Sequence, residues 1–322
     1  MTMLTIPQAI SHIAGLFTGE GVAPATAASV ATALVAAEAD GLKGHGLSRV
    51  PSYLTMVRSG KIDGKAVPVA TRPRPGVLAI DACNGFAYVA IDLAIAELPA
   101  IARAQGVALA AISNSNHCGA AGLHVEKLAE AGLVALLFAN TPGAIAPWGG
   151  SKPVFGTNPI AFAAPLTGRP PIVIDMALSK VARGPIVAAK QKGEAIPEGW
   201  ALDVDGKPTT DAGKALAGTM VPLGDAKGAT LAMMVEILAA ALMGAHFAFE
   251  ASSFLDGAGG PPKTGQLILA IDPTAMGGNN FAERMLTLAA AIETQPGARL
   301  PGARRMAIRQ ATAAKGLALP AF

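Results

Sequence analysis

The segment Val107-Ala-Leu-Ala-Ala-Ile-Ser113 is a run of small, apolar and β-branched residues that predicts a buried strand. Turn-forming residues follow it. Residues 117–131 then predict a helix that ends before Gly132, a residue suited to the left-handed position after a helix. A second apolar run, Leu133–Ala139, predicts another strand. Strand, helix and strand thus follow one another, an order typical of α/β and mixed proteins.

The same alternation extends in both directions from this segment. We predict helices over residues 5–58, and further elements at strand 77–81, helix 90–105, strands 159–165 and 171–175, helix 181–191, helix 227–243, strand 267–272 and helix 280–293. Residues 193–222 are polar and rich in turn formers, and they predict a surface excursion. The residues alone therefore indicate an α/β or mixed fold.

The composition argues against several classes of protein. The chain has 322 residues, of which 52% are hydrophobic and 15% charged, and its net charge is +3. No block of Lys and Arg interleaved with aromatic residues occurs, so nucleic acid is not expected as a partner. A surface so poor in charge indicates that another subunit covers part of it.

The cysteines and the most apolar segment bear on location in the cell. Cys83 and Cys118 form neither a disulfide framework nor a CxxC site, so we expect a reducing cytoplasm. Residues 1–16 lack the basic region and cleavage site of a signal peptide. Residues 229–249 approach membrane-spanning length but contain Glu236, and we interpret them as a buried helix with no membrane partner.

Two residues that suit carboxylate chemistry stand four positions apart in the segment Asp40–Tyr53. If this segment is helical, His45 and Arg49 share one face. Arg binds carboxylates through two parallel hydrogen bonds, and His exchanges protons near neutral pH. The pair predicts a small carboxylate substrate that gains or loses a proton while it is bound.

Other segments suit phosphate binding, but each has an ordinary structural interpretation as well. Residues 113–121 (Ser-Asn-Ser-Asn-His-Cys-Gly-Ala-Ala) follow a strand and open a helix, where backbone N–H groups favour anions. They do not form a GxGxxG motif, and a simple capped helix remains the alternative. The same two interpretations apply to Lys227 and to the basic turn Leu300–Arg305. Adjacent His117 and Cys118 point in different directions, so we expect no metal site.

Taken together and in order, these segments resemble the malate/L-lactate dehydrogenase family, whose NAD(P)-binding fold is not of the Rossmann type. The resemblance rests on Gly44-His45-Gly46 with Arg49 and Tyr53, Asn114–Ala121, Gly156–Ala161, Asp175-Met176-Ala177 with Ser179, Pro208–Asp211, and Leu223-Gly224 with Lys227-Gly228. Within the family, Phe155–Pro165, Leu231–Leu242 and Thr264–Pro273 most resemble the Δ1-piperideine-2-carboxylate/Δ1-pyrroline-2-carboxylate reductases, and Gln266 stands where many relatives carry His.

The resemblance implies a fold, a division into domains and an activity. It implies a mixed sheet and a helical domain made from both chain ends, with residues 1–112 and 300–322 carrying the catalytic His and residues 113–299 binding the cofactor. The implied activity is NAD(P)H-dependent reduction of cyclic imines with a 2-carboxylate to L-proline or L-pipecolate, with NADPH favoured and NADH possible. A homodimer is also implied. A 2-hydroxy-acid dehydrogenase is the first alternative, and a non-catalytic protein that binds NADPH or a metabolite is the second.

The family pattern also assigns roles to particular residues. His45 would donate the proton, and either Ser48 or a water would replace the Ser that relatives carry at the position of Gly44. Arg49 would bind the substrate carboxylate with help from Thr157 and Tyr53. The cofactor would contact His117, Cys118, Gly119, Ala120, Ala121 and Lys227 at its pyrophosphate, Asp175, Met176, Ser179 and Arg183 around its adenosine, and also Gly228, while Arg183, Arg304 and Arg305 would meet a 2′-phosphate.

Overall fold

The structure is a computed structural model that describes residues 3–320. Its strands are β1 (Met3–Leu4), β2 (Val69–Arg74), β3 (Val77–Asp81), β4 (Val107–Ser115), β5 (Val134–Ala139), β6 (Ile160–Leu166), β7 (Arg169–Met176), β8 (Ala201–Leu202), β9 (Pro208–Thr209), β10 (Thr219–Met220), β11 (Thr264–Ile271) and β12 (Leu317–Ala318). Its α-helices are α1 (Ile6–Gly19), α2 (Pro24–Ala39), α3 (Val50–Arg58), α4 (Ala87–Gln105), α5 (Ala121–Glu130), α6 (Arg183–Lys192), α7 (Ala212–Ala217), α8 (Ala226–Ala239), α9 (Phe281–Glu293) and α10 (Ala303–Lys315).

A seven-stranded mixed sheet, ordered β2-β3-β4-β11-β5-β6-β7, forms the centre of the molecule. Only β3 and β4 run parallel in this sheet, and helix α4 connects them. The late strand β11 lies between β4 and β5 and is antiparallel to both. The mixed α/β class predicted from the sequence is therefore confirmed.

Apolar residues on both faces of the central strands explain why these strands are nearly continuous hydrophobic runs. On one face, Ala110 and Leu137 pack with helices α4 and α5. On the other face, Ala111 and Leu136 pack with α8, whose Ala232 and Val235 are fully buried. Successive residues of a strand point to opposite faces, so two layers of helices bury one strand sequence.

Both chain ends contribute to a helical layer beside the sheet. Helices α1, α2 and α3 form a core that includes Leu317 of β12, and β12 pairs with β1. The predicted domain boundary between residues 112 and 113 falls inside β4. Residues 69–112 form sheet strands and the helix that connects two of them, and not part of the helical layer.

Several predicted elements differ from the structure in detail. The predicted helix 117–131 begins only at Ala121, because residues before it form a loop in which Gly119 has a φ of 69°. Residues 193–222 contain a small three-stranded sheet, β10-β8-β9, and helix α7. The predicted basic turn at residues 300–305 ends at Gly302, and Arg304 and Arg305 belong to the first turn of α10.

Helix α8 and the short turn after it, Ala226–Met243, are long and apolar enough to cross a membrane by length and composition, and 39% of this segment is buried. Helix α8 packs against β5 and β11. Glu236 lies in the middle of α8, is buried, and accepts hydrogen bonds from the Asn158 side chain (2.8 Å) and the Ala248 N–H (3.1 Å). One face of α8 is therefore buried against the sheet, as predicted for a core helix, whereas its other face exposes large apolar side chains.

Candidate active site

A cavity of about 1440 Å³ lies between the helical layer and the sheet. This volume exceeds the range of about 300–1,000 Å³ that is usual for small-molecule sites. Residues predicted from the sequence to bind substrate or cofactor meet in its walls, among them His45, Arg49, His117, Thr157 and Arg183. The cavity is therefore the candidate active site.

His45 and Arg49 reach this cavity from two short 3₁₀ turns, Lys43–His45 and Leu47–Arg49, rather than from one continuous helix. The predicted helix is wrong because Gly46 interrupts it with φ −96° and ψ −138°. A Cβ at Gly46 would collide with Glu38 of α2, whose carboxylate accepts a hydrogen bond from the Leu47 N–H at 2.9 Å. Close packing against α2 thus requires glycine here and sets the direction of both turns.

The His45 imidazole is neutral at physiological pH in this structure. Burial and, to a smaller extent, the positive charge of Arg49 together lower the pKa of His45 to about 4. Its Nδ1 atom is buried and has no hydrogen-bond partner. Ser48, predicted to support His45, instead donates from Oγ to the Lys43 carbonyl at 2.6 Å. Ser48 lines the cavity but does not replace the missing family Ser.

His117 lies directly beside His45. The two imidazole rings stack with their centroids 5.4 Å apart and their planes 18° from parallel. Burial lowers the pKa of His117 well below its usual value, with smaller contributions from Arg49 and His45. His117 therefore lies in the same part of the cavity as His45, and its predicted contact with the pyrophosphate stays a prediction.

Tyr53 holds His117 in place. Its hydroxyl lies 2.6 Å from His117 Nδ1 and 2.9 Å from the hydroxyl of Tyr88. Burial raises the pKa of both tyrosines, so both hydroxyls remain protonated. Tyr53 is buried and is not among the residues that line the cavity, and its contact with substrate stays a prediction. No role was predicted for Tyr88 from the sequence. Its position in the apolar helix α4 does not indicate a hydrogen bond to Tyr53.

The N-terminus of α5 is occupied by a carboxylate of the protein itself. Asp175 accepts a hydrogen bond from the Gly122 N–H at 2.8 Å, and burial raises the pKa of Asp175. This first-turn N–H is therefore not free for a phosphate, contrary to the prediction. Cys118, Gly119 and Ala121 still line the cavity, and so does Asp175, whereas Ala120 is buried and is not a lining residue.

Thr157 keeps its predicted place in the cavity wall. Its N–H donates to Thr141 Oγ1 at 2.9 Å, and the two hydroxyls are 3.2 Å apart. The neighbouring Asn158 donates to Glu236 of α8, which also accepts from the Asn140 side chain at 3.3 Å. This buried network fixes the turn that carries Thr157.

Gln266 is a functional candidate for which no role was predicted from the sequence, beyond the observation that many relatives carry His at this position. It lines the cavity from β11. Its Nε2 donates to the Asn116 carbonyl at 3.1 Å, while its Oε1 is buried without a partner. The sequence contains one signal that could have identified this residue, because Gln266 is an amide beside the apolar residues of β11.

Several predicted cofactor residues lie outside the large cavity. Met176 is exposed, and Ser179 donates to the Val181 carbonyl at 2.8 Å. Lys227 is exposed on the first turn of α8. Gly228 is required by packing, because a Cβ there would collide with the Leu223 carbonyl. None of these four residues lines the cavity.

Two of the three arginines predicted to meet a 2′-phosphate, Arg304 and Arg305, are close in sequence but differ in their ion pairs. Arg305 is paired with Asp40 and Glu126, with N···O distances of 3.4 and 3.1 Å, so its charge is already compensated. A second cavity of about 500 Å³ is lined by all three arginines of this segment, Arg299, Arg304 and Arg305. Gly41 and Leu42 line both cavities, so the second lies at the edge of the first. Arg304 and Arg299 are therefore better placed than Arg305 to meet a phosphate.

The residues of the large cavity fit a nicotinamide dinucleotide. The cavity extends from His45 to Arg183 and is larger than a small carboxylate substrate alone requires. It also contains a buried acceptor without a partner, Gln266 Oε1, which a bound donor would satisfy. Within residues 3–320, no group of three or more His, Cys, Asp or Glu side chains is arranged to hold a metal ion.

Comparison with known sequences identifies the class of protein. The profile of the malate/L-lactate dehydrogenase family matches residues 4–321. The chain therefore belongs to this family and is an oxidoreductase, as its motifs predicted. The non-Rossmann fold that the family implies is confirmed as well.

Individual relatives act on two kinds of substrate. The chain is 48% identical over 308 residues to a (2R)-3-sulfolactate dehydrogenase (NADP(+)) from Chromohalobacter salexigens, covering 96% of this chain and 92% of the relative. It is 41% identical over 325 residues to a Δ1-pyrroline-2-carboxylate/Δ1-piperideine-2-carboxylate reductase from Pseudomonas putida, covering 99% and 94%. The crystal structure of Δ1-piperideine-2-carboxylate reductase from Pseudomonas syringae is similar with a TM-score of 0.94 and 41% identity, covering 99% of this chain and 97% of that one.

Proposed function

We propose that this protein reduces five- or six-membered cyclic imines with a 2-carboxylate to L-proline or L-pipecolate, using NADPH. The observation that carries this proposal is the placement of a half-buried imidazole, His45, beside the guanidinium of Arg49 in one cavity. Relatives at about 40% identity that are named as reductases of these imines support it.

Arg49 binds the substrate carboxylate in this proposal. A guanidinium pairs with a carboxylate through charge-assisted hydrogen bonds, and Thr157 lines the same cavity with a hydroxyl that can add another. The Arg49 Nε already donates to the Gly44 carbonyl at 2.7 Å. This contact orients the guanidinium and leaves its two terminal nitrogens for the substrate.

Binding of the carboxylate also prepares His45 as an acid. The charge of Arg49 is one of the two causes that depress the pKa of His45. An anion paired with Arg49 offsets this charge, so the pKa of His45 rises when the substrate binds. His45 then donates a proton to the ring nitrogen, which becomes strongly basic as the imine carbon is reduced.

The cofactor supplies the hydride, and the protein supplies binding and orientation. Cys118, Gly119, Ala121, Asp175 and Arg183 line the part of the cavity available to the dinucleotide. Arg304 and Arg299 in the adjoining cavity would meet a 2′-phosphate, which favours NADPH over NADH.

A 2-hydroxy-acid dehydrogenase is the second candidate function. The relative with 48% identity is named for (2R)-3-sulfolactate, which carries a sulfonate in addition to its carboxylate. Lys43 is exposed and lines the cavity that contains Arg49, so it offers a second cation for a second anion. The neutral His45 would then act as a base toward the hydroxyl.

A substrate panel with both cofactors tests the proposal. Δ1-Pyrroline-2-carboxylate, Δ1-piperideine-2-carboxylate, pyruvate, oxaloacetate and 3-sulfopyruvate are mixed with NADPH or NADH, and the loss of cofactor absorbance is followed. We expect the highest kcat/KM with a cyclic imine and NADPH. Preference for 3-sulfopyruvate would establish the second candidate function. If no compound is turned over, the interpretation that remains is a non-catalytic protein that binds NADPH or a metabolite.

We further propose that the protein acts as a homodimer. Helix α8 and the turn after it expose a group of large apolar side chains that a second copy would cover: Leu231, Met233, Met234, Ile237 and Leu242. Light scattering during size-exclusion chromatography should give about twice the 32.2 kDa chain mass, and Ile237→Asp should shift the protein toward the monomer. A wild-type monomer at micromolar concentration would exclude this arrangement.

A further inference from the structure

Gln266 is an unusual residue for its place in the sheet. It belongs to the central strand β11, where it pairs in register with Ile112 of β4 and Ala139 of β5. The strand residues after it, Leu267–Ile271, are apolar, and Gln266 itself is only 1% exposed. An amide buried at such a position costs free energy unless each polar atom has a partner.

The hydrogen bonds fix which way the amide is turned. Its nitrogen must face the Asn116 carbonyl, 3.1 Å away, because a carbonyl oxygen only accepts and two acceptors would repel. The Gln266 oxygen is then left buried without a donor. The other polar side chain of the strand, Thr264, has a partner, since its hydroxyl donates to the Ser115 carbonyl at 3.3 Å.

The unpaired oxygen belongs to the reacting part of the cavity. Gln266 lines the same cavity as His45 and Arg49. Its bond to Asn116 joins it to the residue before His117, and His117 stacks on His45. A donor carried by a bound molecule would therefore satisfy this oxygen close to the site of proton transfer.

We propose that Gln266 Oε1 is a ligand-binding acceptor that takes a hydrogen bond from an N–H group of the molecule bound in the cavity. The identity of that molecule rests on the proposed function. Two groups there share the required chemistry, namely the carboxamide of a nicotinamide and the ring N–H of a cyclic amino acid or of a protonated cyclic imine. In either case Gln266 selects for a ligand with a donor at this point and against one that lacks it.

The test compares Gln266→Met, which keeps the volume but removes the amide, with Thr264→Val as the matched control. NADPH binding is measured by fluorescence titration, alongside the 3-acetylpyridine analogue, which lacks the carboxamide N–H. The inhibition constants of L-proline and L-pipecolate are measured against the cyclic imine. Melting temperatures are recorded without ligand.

We expect Gln266→Met to weaken one of these interactions by about three- to tenfold, the effect of one neutral hydrogen bond. If the carboxamide is the donor, NADPH binding weakens and analogue binding does not. If the ring nitrogen is the donor, NADPH binding is unchanged and the inhibition constants rise. Gln266→Met should lower the ligand-free melting temperature, because it also removes the bond from the amide nitrogen to the buried Asn116 carbonyl. Thr264→Val should lower it and leave the binding constants unchanged.

Two results would overturn the inference. One is binding of all four ligands by Gln266→Met within about twofold of the wild type, a range smaller than one hydrogen bond. The other is an equal loss of binding in Thr264→Val. Failure of the proposed function gives a different result. A wild type that binds NADPH but does not reduce cyclic imines would refute the function. The titrations with NADPH and its analogue would still test the role of Gln266. A wild type that binds none of the four ligands would overturn both proposals.

Discussion

The Tyr53 hydroxyl lies 2.6 Å from Nδ1 of His117, and the partners are 64 residues apart in the chain. This bond reaches from helix α3 of the helical layer to the loop before α5. It holds the imidazole that stacks on His45. The position of one ring of the active site therefore depends on a tyrosine that does not itself line the cavity.

Removing this hydroxyl should reduce turnover more than it reduces substrate binding. We expect Tyr53→Phe to lower kcat by roughly two- to tenfold, because His117 Nδ1 loses its partner and the ring is less well held. Tyr88→Phe is the matched control, since it removes the neighbouring hydroxyl but keeps the bond between Tyr53 and His117. Steady-state kinetics of both variants should show the loss of kcat only in Tyr53→Phe, and equal losses would contradict this role.

Loss of the His45 imidazole should remove proton transfer but not cofactor binding. We expect His45→Ala to lower kcat by about 10²- to 10⁴-fold. In the reductive direction the acid must be protonated, so kcat/KM of the wild type should fall as the pH rises above about 4, the pKa of His45 in the free protein. The corresponding fall in kcat should occur at higher pH, because a carboxylate bound to Arg49 raises this pKa. Rates measured from pH 4 to 9 test both points. If kcat and kcat/KM fall at the same pH, carboxylate binding at Arg49 does not raise the pKa of His45.

Substitution of Arg49 should act mainly on binding of the carboxylate. We expect Arg49→Met to raise KM by about 10- to 100-fold, the range of a charge-assisted hydrogen bond, with a smaller change in kcat. Lys43→Met provides the control, because Lys43 is another cation of the same cavity. A substrate with one anion should lose little affinity in Lys43→Met. If KM stays at the wild-type value in Arg49→Met, the carboxylate binds elsewhere.

Glu236 should be important for stability, because four donors depend on it. Its carboxylate accepts from the side chains of Asn140 and Asn158 and from the N–H groups of Gly156 and Ala248. We expect Glu236→Ala to lower the free energy of unfolding by about 3 kcal/mol, because it leaves several buried donors without partners. Glu130→Ala, at an exposed helical position, should change it by less than about 0.5 kcal/mol. Urea denaturation compares the two variants, and similar losses would exclude a special role for Glu236.

His124 should make the protein less stable in acid. Its Nε2 donates to the Cys118 carbonyl at 2.7 Å, and burial lowers the pKa of His124 to about 4. The unfolded chain takes up this proton near pH 6.5 and the folded protein only near pH 4, so the free energy of unfolding falls as the pH decreases between these values. The free energy of unfolding should fall by about 3 kcal/mol between pH 7 and pH 4, and this fall should be absent in His124→Gln. Denaturation at pH 7 and pH 4 measures it, and equal losses in both proteins would assign the effect to other groups.

The two residues predicted from the sequence to act as a pair do meet in one cavity, but not on the predicted local structure. The spacing of His45 and Arg49 is correct for a shared site, although Gly46 interrupts the helix that this spacing assumed. The glycine is needed because α2 passes so close to it, and that approach is a tertiary contact. Periodicity along the chain carries no information on such contacts.

Several side chains that the motifs predicted to contact ligands share one feature that the sequence does not reveal. Tyr53, Asp175 and Arg305 are polar residues whose partners are distant in sequence. Each motif suggested a ligand contact, but each side chain binds another part of the protein. Gln266 is the opposite case, because its sequence suggests only a substitution among relatives, whereas the structure shows an acceptor without a partner.

The position of β11 has a consequence for synthesis on the ribosome. Thr264 of β11 bonds to Ser115 of β4, 149 residues earlier in the chain, and Gly265 bonds to Asn140, 125 residues earlier. The nascent chain therefore emerges with β4 and β5 already made and the strand between them still to be translated. During that interval both strands have open backbone edges, which are prone to pair with other chains. Expression at lower temperature or with added chaperones should increase the yield of native protein, since it protects these edges until the last strand arrives.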